Sequence, residues 1–178
     1  MDSDSQGSAR DWSAAKETQP VIVVGIDRPV LERDIKKQFA DTDFVVIDGA
    51  PSTKEMAVSA IKAANLVLIP VQPSQLDVWS TADIAGLVRQ RQEITDGRLR
   101  AAFVISRAIK GTRLEGQVGA ALASYEIPVL ETVIHQRIAF ADSMGAGSTV
   151  LDLLPEGQAA GEVLALRDEV LSFLRQAV

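Results

Sequence analysis

The chain reads as an α/β domain with a mostly parallel sheet and helices on both faces. Two observations predict this. Short apolar runs of strand length alternate with segments of helical periodicity, at the spacing of strand–helix–strand units. One run, Phe44–Ile47, stops abruptly at a carboxylate, Asp48, followed by Gly49, Ala50 and Pro51. A parallel strand buried on both faces reads as such an unbroken hydrophobic run. Composition agrees. Hydrophobic residues make up 47% of the chain and aromatics only 4%, which gives an aliphatic core suited to layered packing. The 178 residues suffice for one domain with a proper core, and residues 1–178 read as a single domain.

In chain order, Val21–Gly25 reads as a strand. Pro29 to Ala40 follows as a helix, with Asp27 as its cap and Pro29 in the first turn. Phe44–Asp48 is the next strand. Thr53 to Ala64 is helical, capped by Ser52 or Thr53. Leu66–Val71 is a third strand, closed by Pro70 and Pro73. Leu76 to Gln92 fits one long helix, with Ile84, Leu87 and Val88 apolar. Ala101–Ser106 is a fourth strand, Arg113 to Tyr125 a helix, Val129–Ile134 extended and Gln136 to Met144 a short helix. Gly157 to Ala177 closes the chain as an amphipathic helix whose stripe is Val163, Leu166, Val170 and Leu174. Residues 1–20 hold no strand pattern, yet Asp2 and Asp4 begin as if a strand had just ended.

Several function classes are disfavoured. There are no cysteines, which removes disulfides and thiolate metal sites and leans cytoplasmic. No apolar run approaches the roughly 18 residues of a membrane span, and the acidic, polar start is unlike a signal peptide. The net charge of −6 argues against coating DNA through bulk charge. A local basic cluster exists, however. Arg89, Arg91, Arg98, Arg100, Arg107, Lys110 and Arg113 account for seven of the 18 basic residues, and they read either as a solvated face or as a nucleic-acid surface. Asp48 also has two readings. It is a turn-forming Asp-Gly pair, or a carboxylate at the ligand-binding end of a parallel sheet, placed to hold hydrated Mg²⁺ beside a phosphate.

Five segments in order carry a resemblance. Asp2–Trp12, DSDSQGSARDW, resembles the DxDPQGSAxxW segment of the ParA family of partition ATPases, a branch of the deviant Walker P-loop NTPases that includes MinD. FVVIDGAP resembles its Walker B strand, and IPVQPSQLDVWS (Ile69–Ser80) its VxPSxxDxW segment. FVISRAIKGTRL (Phe103–Leu114) and Pro128–Asp152 resemble its later strand and loop segments. The similarity covers nearly the whole chain and is closest to the short, ParF-like plasmid type. It implies a P-loop NTPase-like fold, ATP or ADP with Mg²⁺ as ligands, a homodimer, non-specific DNA and a ParB-like partner, and a nucleoid-associated location without a membrane.

The same resemblance assigns roles. Asp48 would hold Mg²⁺ through water. Asp4 would orient the attacking water, with Asp2 the weaker candidate of the two. Ser106 and Arg107 stand where the family often has an Asn before an Arg, reading adenine, and serine offers fewer hydrogen bonds. Ile134, His135 and Gln136 align with the loop near the base. His135, the sole histidine, reads better as a loop histidine than as a metal ligand. Arg89, Arg91, Arg98, Arg100 and Arg137 are the candidates for DNA contact. Asp77 and Trp79 fall near the family's nucleotide-dependent dimer surface, and Trp12 is expected to pack on the sheet's flank.

One departure matters. The family's first strand, KGGxGKT phosphate loop and first helix should precede Asp2, yet no GxxxxGK[ST] segment occurs in the sequence. The expectation is a fold lacking that strand–loop–helix unit and most of a second strand, on the order of 30 residues or more, through an internally assigned start or a truncated gene. Two function readings follow: a partition ATPase whose chain as given does not turn over, or a non-catalytic ParA-like scaffold. In the second, the lost strand leaves an exposed sheet edge or central gap that invites pairing with other chains.

Overall fold

The structure is a computed structural model that describes residues 1–16, 21–26, 28–49 and 53–175, with residues 113–117 described as backbone alone. Asp27 and Ser52 as caps, Ala50 and Pro51 after the aspartate, and the Arg113 side chain lie outside the described residues. The helices are α1 (Ser8–Ala14), α2 (Leu31–Gln38), α3 (Lys54–Ala63), α4 (Gln75–Ser80), α5 (Ala82–Ile94), α6 (Arg113–Leu122), α7 (Ile138–Gly145), α8 (Val150–Leu153) and α9 (Gln158–Arg175). A 3₁₀ turn, Ala123–Tyr125, extends α6. The named strands are β1 (Leu66–Val71) and β2 (Arg100–Ile105). Among the described residues no helix is long and apolar enough to cross a membrane.

The chain forms two compact units, residues 1–64 with 144–148, and residues 65–143 with 149–178. In the first, residues 1–3 lie between two parallel neighbours. Asp2 bridges Gly25 on one side and Asp48 on the other. The Asp2 N–H donates to Val24 O (2.9 Å) and Ile26 N–H to Asp2 O (2.9 Å). Asp48 N–H donates to Met1 O (2.8 Å) and Ser3 N–H to Asp48 O (3.0 Å). The strand ending at the first aspartates is therefore central, and the pairing of 21–25 and 44–48 is limited to single bridges rather than regular strands. This corrects the expectation of a strand buried on both faces. Phe44 is 67% and Val46 77% exposed. The strand alternates its side chains, and Ile47, with Met1 and Val24, packs against a cluster of Ile26, Leu31 and Met56 beneath α2 and α3. Helix α1 was absent from the sequence expectations, because its short, polar sequence carries no apolar stripe.

Helix α3 begins where expected. Thr53 Oγ1 accepts from Met56 N–H at 3.2 Å, an N-cap that satisfies an otherwise unpaired donor. Thr53→Ala is expected to lower stability by about 1 kcal/mol, read as a shift in urea midpoint with unchanged slope.

In the second unit, β1 and β2 are parallel from Leu66↔Arg100 to Val71↔Ile105. A third segment joins β2 through Phe103↔Val129 and, beyond the end of β2, pairs Ala108↔His135. β2 is thus the middle strand, and Ala101–Ile105 are all buried. Its two faces meet different helices. Ala102 and Val104 pack with Leu130, Ile134 and the α9 residues Leu166, Val170 and Phe173. Phe103 meets Tyr125 in a tilted ring contact at 5.9 Å, and the Tyr125 hydroxyl donates to Val78 O of α4 (3.1 Å). Of the expected α9 stripe, Leu166 and Val170 join this cluster, together with Phe173, and Val163 and Leu174 are half-buried. β1 runs through Pro70 to Val71, and Pro70 does not close it; proline, lacking an N–H, is tolerated there because β1 has one strand partner among the described residues.

The expected single helix 76–92 is two helices that break at Thr81. Thr81 Oγ1 donates to Val78 O (2.7 Å), a back-bond of the kind that bends helices. The cap of α4 is Ser74, whose Oγ accepts from Asp77 N–H (3.1 Å) while donating to the Asp77 carboxylate. Helix α8 was not anticipated. It is opened by a capping box in which Thr149 and Asp152 satisfy one another's N–H groups.

Candidate nucleotide-linked sites

In the first unit the two predicted aspartates lie at the ends of neighbouring parallel segments. Asp48 sits at the bridge beside Asp2, and Ser3 holds its carbonyl with both N–H (3.0 Å) and Oγ (2.8 Å). Asp4 follows one residue later, so both acids emerge at the carboxyl ends of adjacent parallel segments, the end where ligands bind in such sheets. Asp48 is exposed and Asp4 half-buried. Asp4 Oδ1 accepts from Gln6 N–H (3.0 Å), a side-chain turn, and Gly7 N–H donates to Asp4 O (3.1 Å).

The loop is held by a pair that the sequence reading missed. Asp2 is buried; its Oδ1 accepts from Asp4 N–H (3.0 Å), and its Oδ2 accepts from Arg10 N–H (3.1 Å) and Nε (3.3 Å). A terminal guanidinium nitrogen of Arg10 also donates to Asp4 O (3.2 Å). Burial by itself would raise the Asp2 carboxyl, but the N–H groups of Arg10 and Asp4 and the guanidinium outweigh it and hold it below the usual aspartate range. Two glycines make room. Gly7 has φ +73°, and a Cβ there would meet the Arg10 guanidinium at 2.7 Å; a Cβ on Gly25 would meet Arg10 Cδ at 2.7 Å. Asp2 is therefore the anchor of the loop, and Asp4 the acid it presents. Trp12, half-buried, donates through Nε1 to Ser148 O (2.9 Å).

In the second unit the base-side candidates also come together. Ser106 N–H donates to Val71 O (2.9 Å). Arg107 follows, exposed, at φ +52°, a left-handed conformation that costs a non-glycine residue and concentrates at functional turns. Ala108 then pairs with the loop: its N–H donates to Ile134 O (3.2 Å), and Gln136 N–H donates to Ala108 O (2.9 Å). A cavity of about 560 Å³ is lined by Ile109, Lys110, His135, Gln136, Arg137, Ile138 and Ala141. Its lining mixes the apolar Ile109, Ile138 and Ala141 with the polar Lys110, His135, Gln136 and Arg137. Ser106, Arg107 and Ile134 adjoin this loop pair without lining the cavity.

The candidate DNA-contact residues divide. Arg89 pairs with Glu126. Arg100 donates to Phe173 O near the end of α9, a favourable position for a cation. Arg137 is committed to Glu162 and, through its second terminal nitrogen, to Gln158 Oε1 (2.7 Å). Arg91 is half-buried. Arg98 is exposed, with Nε on Thr95 O (3.1 Å), and Arg107 and Lys110 are exposed. The sequence reading also missed Glu162 and Glu169, which meet the 131–137 segment from α9. Their seven-residue spacing, one face of a helix over two turns, was the available signal.

Comparison with known proteins gives four matches of note. The sequence profile of the AAA domain family matches residues 13–101. The maintenance of carboxysome distribution protein A of Halothiobacillus neapolitanus is 27% identical over 177 residues, covering 96% of this chain and 81% of that protein. The chromosome-partitioning ATPase Soj of Thermus thermophilus is 29% identical over 140 residues, covering 76% of this chain. Among solved structures, the cell division ATPase MinD of Pyrococcus furiosus superposes with a TM-score of 0.66 at 22% identity over 82% of this chain, which establishes a P-loop NTPase-like α/β fold. The matched regions span 55% of Soj and 59% of MinD.

Proposed function

The chain belongs to the ParA-like partition ATPases of the P-loop NTPase superfamily, and on that premise we propose that its residues serve an ATP–Mg²⁺-driven partition cycle. In that cycle nucleotide pairs two copies, the pair binds DNA non-specifically, and a ParB-like partner stimulates hydrolysis in the cytoplasm. The reading rests foremost on Asp4 and Asp48 emerging together beside the Ser3–Asp48 contact.

The residues fit the ligands this implies. Mg²⁺ keeps several waters and takes one or two carboxylates plus phosphate oxygens, and an exposed Asp48 next to Asp4 suits that donor set. When bound, the ion would neutralise charge on the phosphate oxygens. Asp48 would hold it through water, and Asp4 would orient the attacking water. Ser106, Arg107, Ile134, His135 and Gln136 would serve the base. Exposed Leu76 (74%) and Trp79 (62%), on one side of α4, support pairing of copies through that helix. For DNA, the exposed Arg98, Arg107 and Lys110 are better placed than Arg89, Arg100 and Arg137, whose guanidinium groups are already engaged. Binding through them should weaken steeply with salt.

A second reading is favoured by one observation. No GxxxxGK[ST] segment occurs in the sequence, and such a loop supplies most of the phosphate grip in this chemistry. Turnover by these residues alone is not expected, and a non-catalytic scaffold is the alternative. Thermal melts with ATP and Mg²⁺ separate the two. A ligand at 100 times its Kd stabilises by about 2.7 kcal/mol, so the nucleotide reading expects a rise in Tm that Asp48→Ala diminishes. An unchanged Tm up to millimolar ATP would leave the scaffold.

A further inference from the structure

Two glutamates of α9 hold the segment that leads into the base-side loop. Glu169 accepts the N–H groups of Glu131 (2.6 Å) and Thr132 (2.9 Å). Glu162 accepts His135 N–H at Oε2 (3.0 Å), its Oε1 lies 2.8 Å from His135 Nδ1, and the same oxygen accepts from Arg137 Nε (3.2 Å). On its other edge the segment is bonded to the β2 side: Leu130 N–H to Phe103 O, Ile134 N–H to Ile105 O and Gln136 N–H to Ala108 O. The carboxylates thus take the place a further strand would occupy, capping donors that an open edge would leave bare. The helix that carries them is fixed, because Leu166, Val170 and Phe173 pack against the core of Ala102, Val104 and Leu130.

The consequence concerns the cavity. His135, Gln136, Arg137, Ile138 and Ala141 line it, whereas Glu162 does not. Yet Glu162 sets both the imidazole of His135 and the guanidinium of Arg137. A carboxylate can only accept, so it selects the ring form with hydrogen on Nδ1 and leaves Nε2 as the acceptor when the ring is neutral. It also holds Arg137 against α9.

We propose that Glu162 is a positioning residue of the base-side cavity, acting through His135 and Arg137 rather than by touching the ligand. The proposal rests on the base-side reading of the 134–136 loop. Glu169 anchors the same segment farther along and serves the strand edge.

The test uses the whole chain labelled with ¹⁵N. Because His135 is the single histidine, one imidazole reports the contact without ambiguity. The wild-type neutral ring should carry its proton on Nδ1, and the His135 amide should exchange slowly. Glu162→Gln should lower the Nδ1–H fraction, speed exchange of the His135 amide about tenfold, and weaken methylanthraniloyl-ADP binding about tenfold. Glu169→Gln should speed exchange at residues 131 and 132 while leaving that affinity within about twofold. A wild-type ring protonated on Nε2 overturns the proposal. So does a folded Glu162→Gln protein with unchanged ring form and exchange, or with changed ring form but unchanged affinity. If the wild type binds no methylanthraniloyl-ADP, the base-side reading fails, while ring form and exchange still decide whether Glu162 sets the loop. Should Glu162→Gln not fold, the wild-type ring measurement and Glu162→Asp, whose shorter side chain should loosen His135 in the same direction, keep the question decidable.

Discussion

Phe103→Ala is expected to lower the unfolding free energy by about 4 kcal/mol. Phe103 is fully buried in the middle strand of its sheet, with the Tyr125 ring tilted against it at 5.9 Å and 58°. Its strand is pinned by hydrogen bonds on both sides, to β1 in register and to Pro128 and Leu130 through its own N–H and carbonyl. The walls of the vacated space cannot close without breaking those ladders, so the cavity term adds to the lost transfer energy. Urea denaturation measures it: a lower midpoint with an unchanged slope is expected. A loss under about 1 kcal/mol would show that the site collapses freely, which the pinned strand forbids.

The second large effect falls at Asp2. Asp2→Ala removes the acceptor for Asp4 N–H, Arg10 N–H and Arg10 Nε together. Leaving buried donors unpaired costs roughly 1–3 kcal/mol each in full burial. Arg10 is 45% exposed and water takes up part of its loss, so the expected total is about 3 kcal/mol. The pH dependence has a definite sign. The Asp2 carboxyl is held below its ordinary value in the folded chain, so the unfolded chain binds its proton first as pH falls. The stabilisation is complete above the ordinary aspartate range and is lost as pH descends through the lowered folded value. Asp2→Ala should therefore flatten part of the acid limb of a stability–pH curve. An acid limb that is unchanged, with wild-type stability at neutral pH, would contradict the anchoring role. Since the same anchor presents Asp4, the variant should also weaken any Mg²⁺-dependent nucleotide effect.

Several features could be seen along the chain. The β1 and β2 runs are almost wholly apolar over strand length, and Thr53 stands one residue before its helix; pattern and capping are local and survive folding unchanged. The break at Thr81 was hidden, because 76–92 keeps a helical pattern across it and the cause is a hydroxyl turned back onto a carbonyl. The 21–25 and 44–48 runs looked like full strands because apolar content was all that could be counted; their pairing is one bridge each, and half of their side chains face away from the core. Helix α1 was hidden for the opposite reason, since it buries no apolar stripe.

The candidate sites divide in the same way. Asp48 could be chosen from residue order, because an acid after an apolar run is a one-dimensional signal; Asp4, Ser106, Arg107 and the 134–136 loop were reached only through the resemblance of their segments to the family's. The partners that orient them lie far off in sequence: Glu162 is 27 residues from His135, and the Ser3–Asp48 contact spans 45. Likewise, no spacing rule distinguishes Arg98, left exposed, from Arg89, Arg100 and Arg137, which end on Glu126, on the last turn of α9 and on Glu162. Element type and the identity of chemistry-bearing side chains follow from short-range periodicity and residue chemistry. Which acid is buried as an anchor, which stays accessible, and which arginines are left without a carboxylate or carbonyl cap follow from what packing brings within about 3 Å, the reach of a hydrogen bond, and that is a property of the folded chain alone.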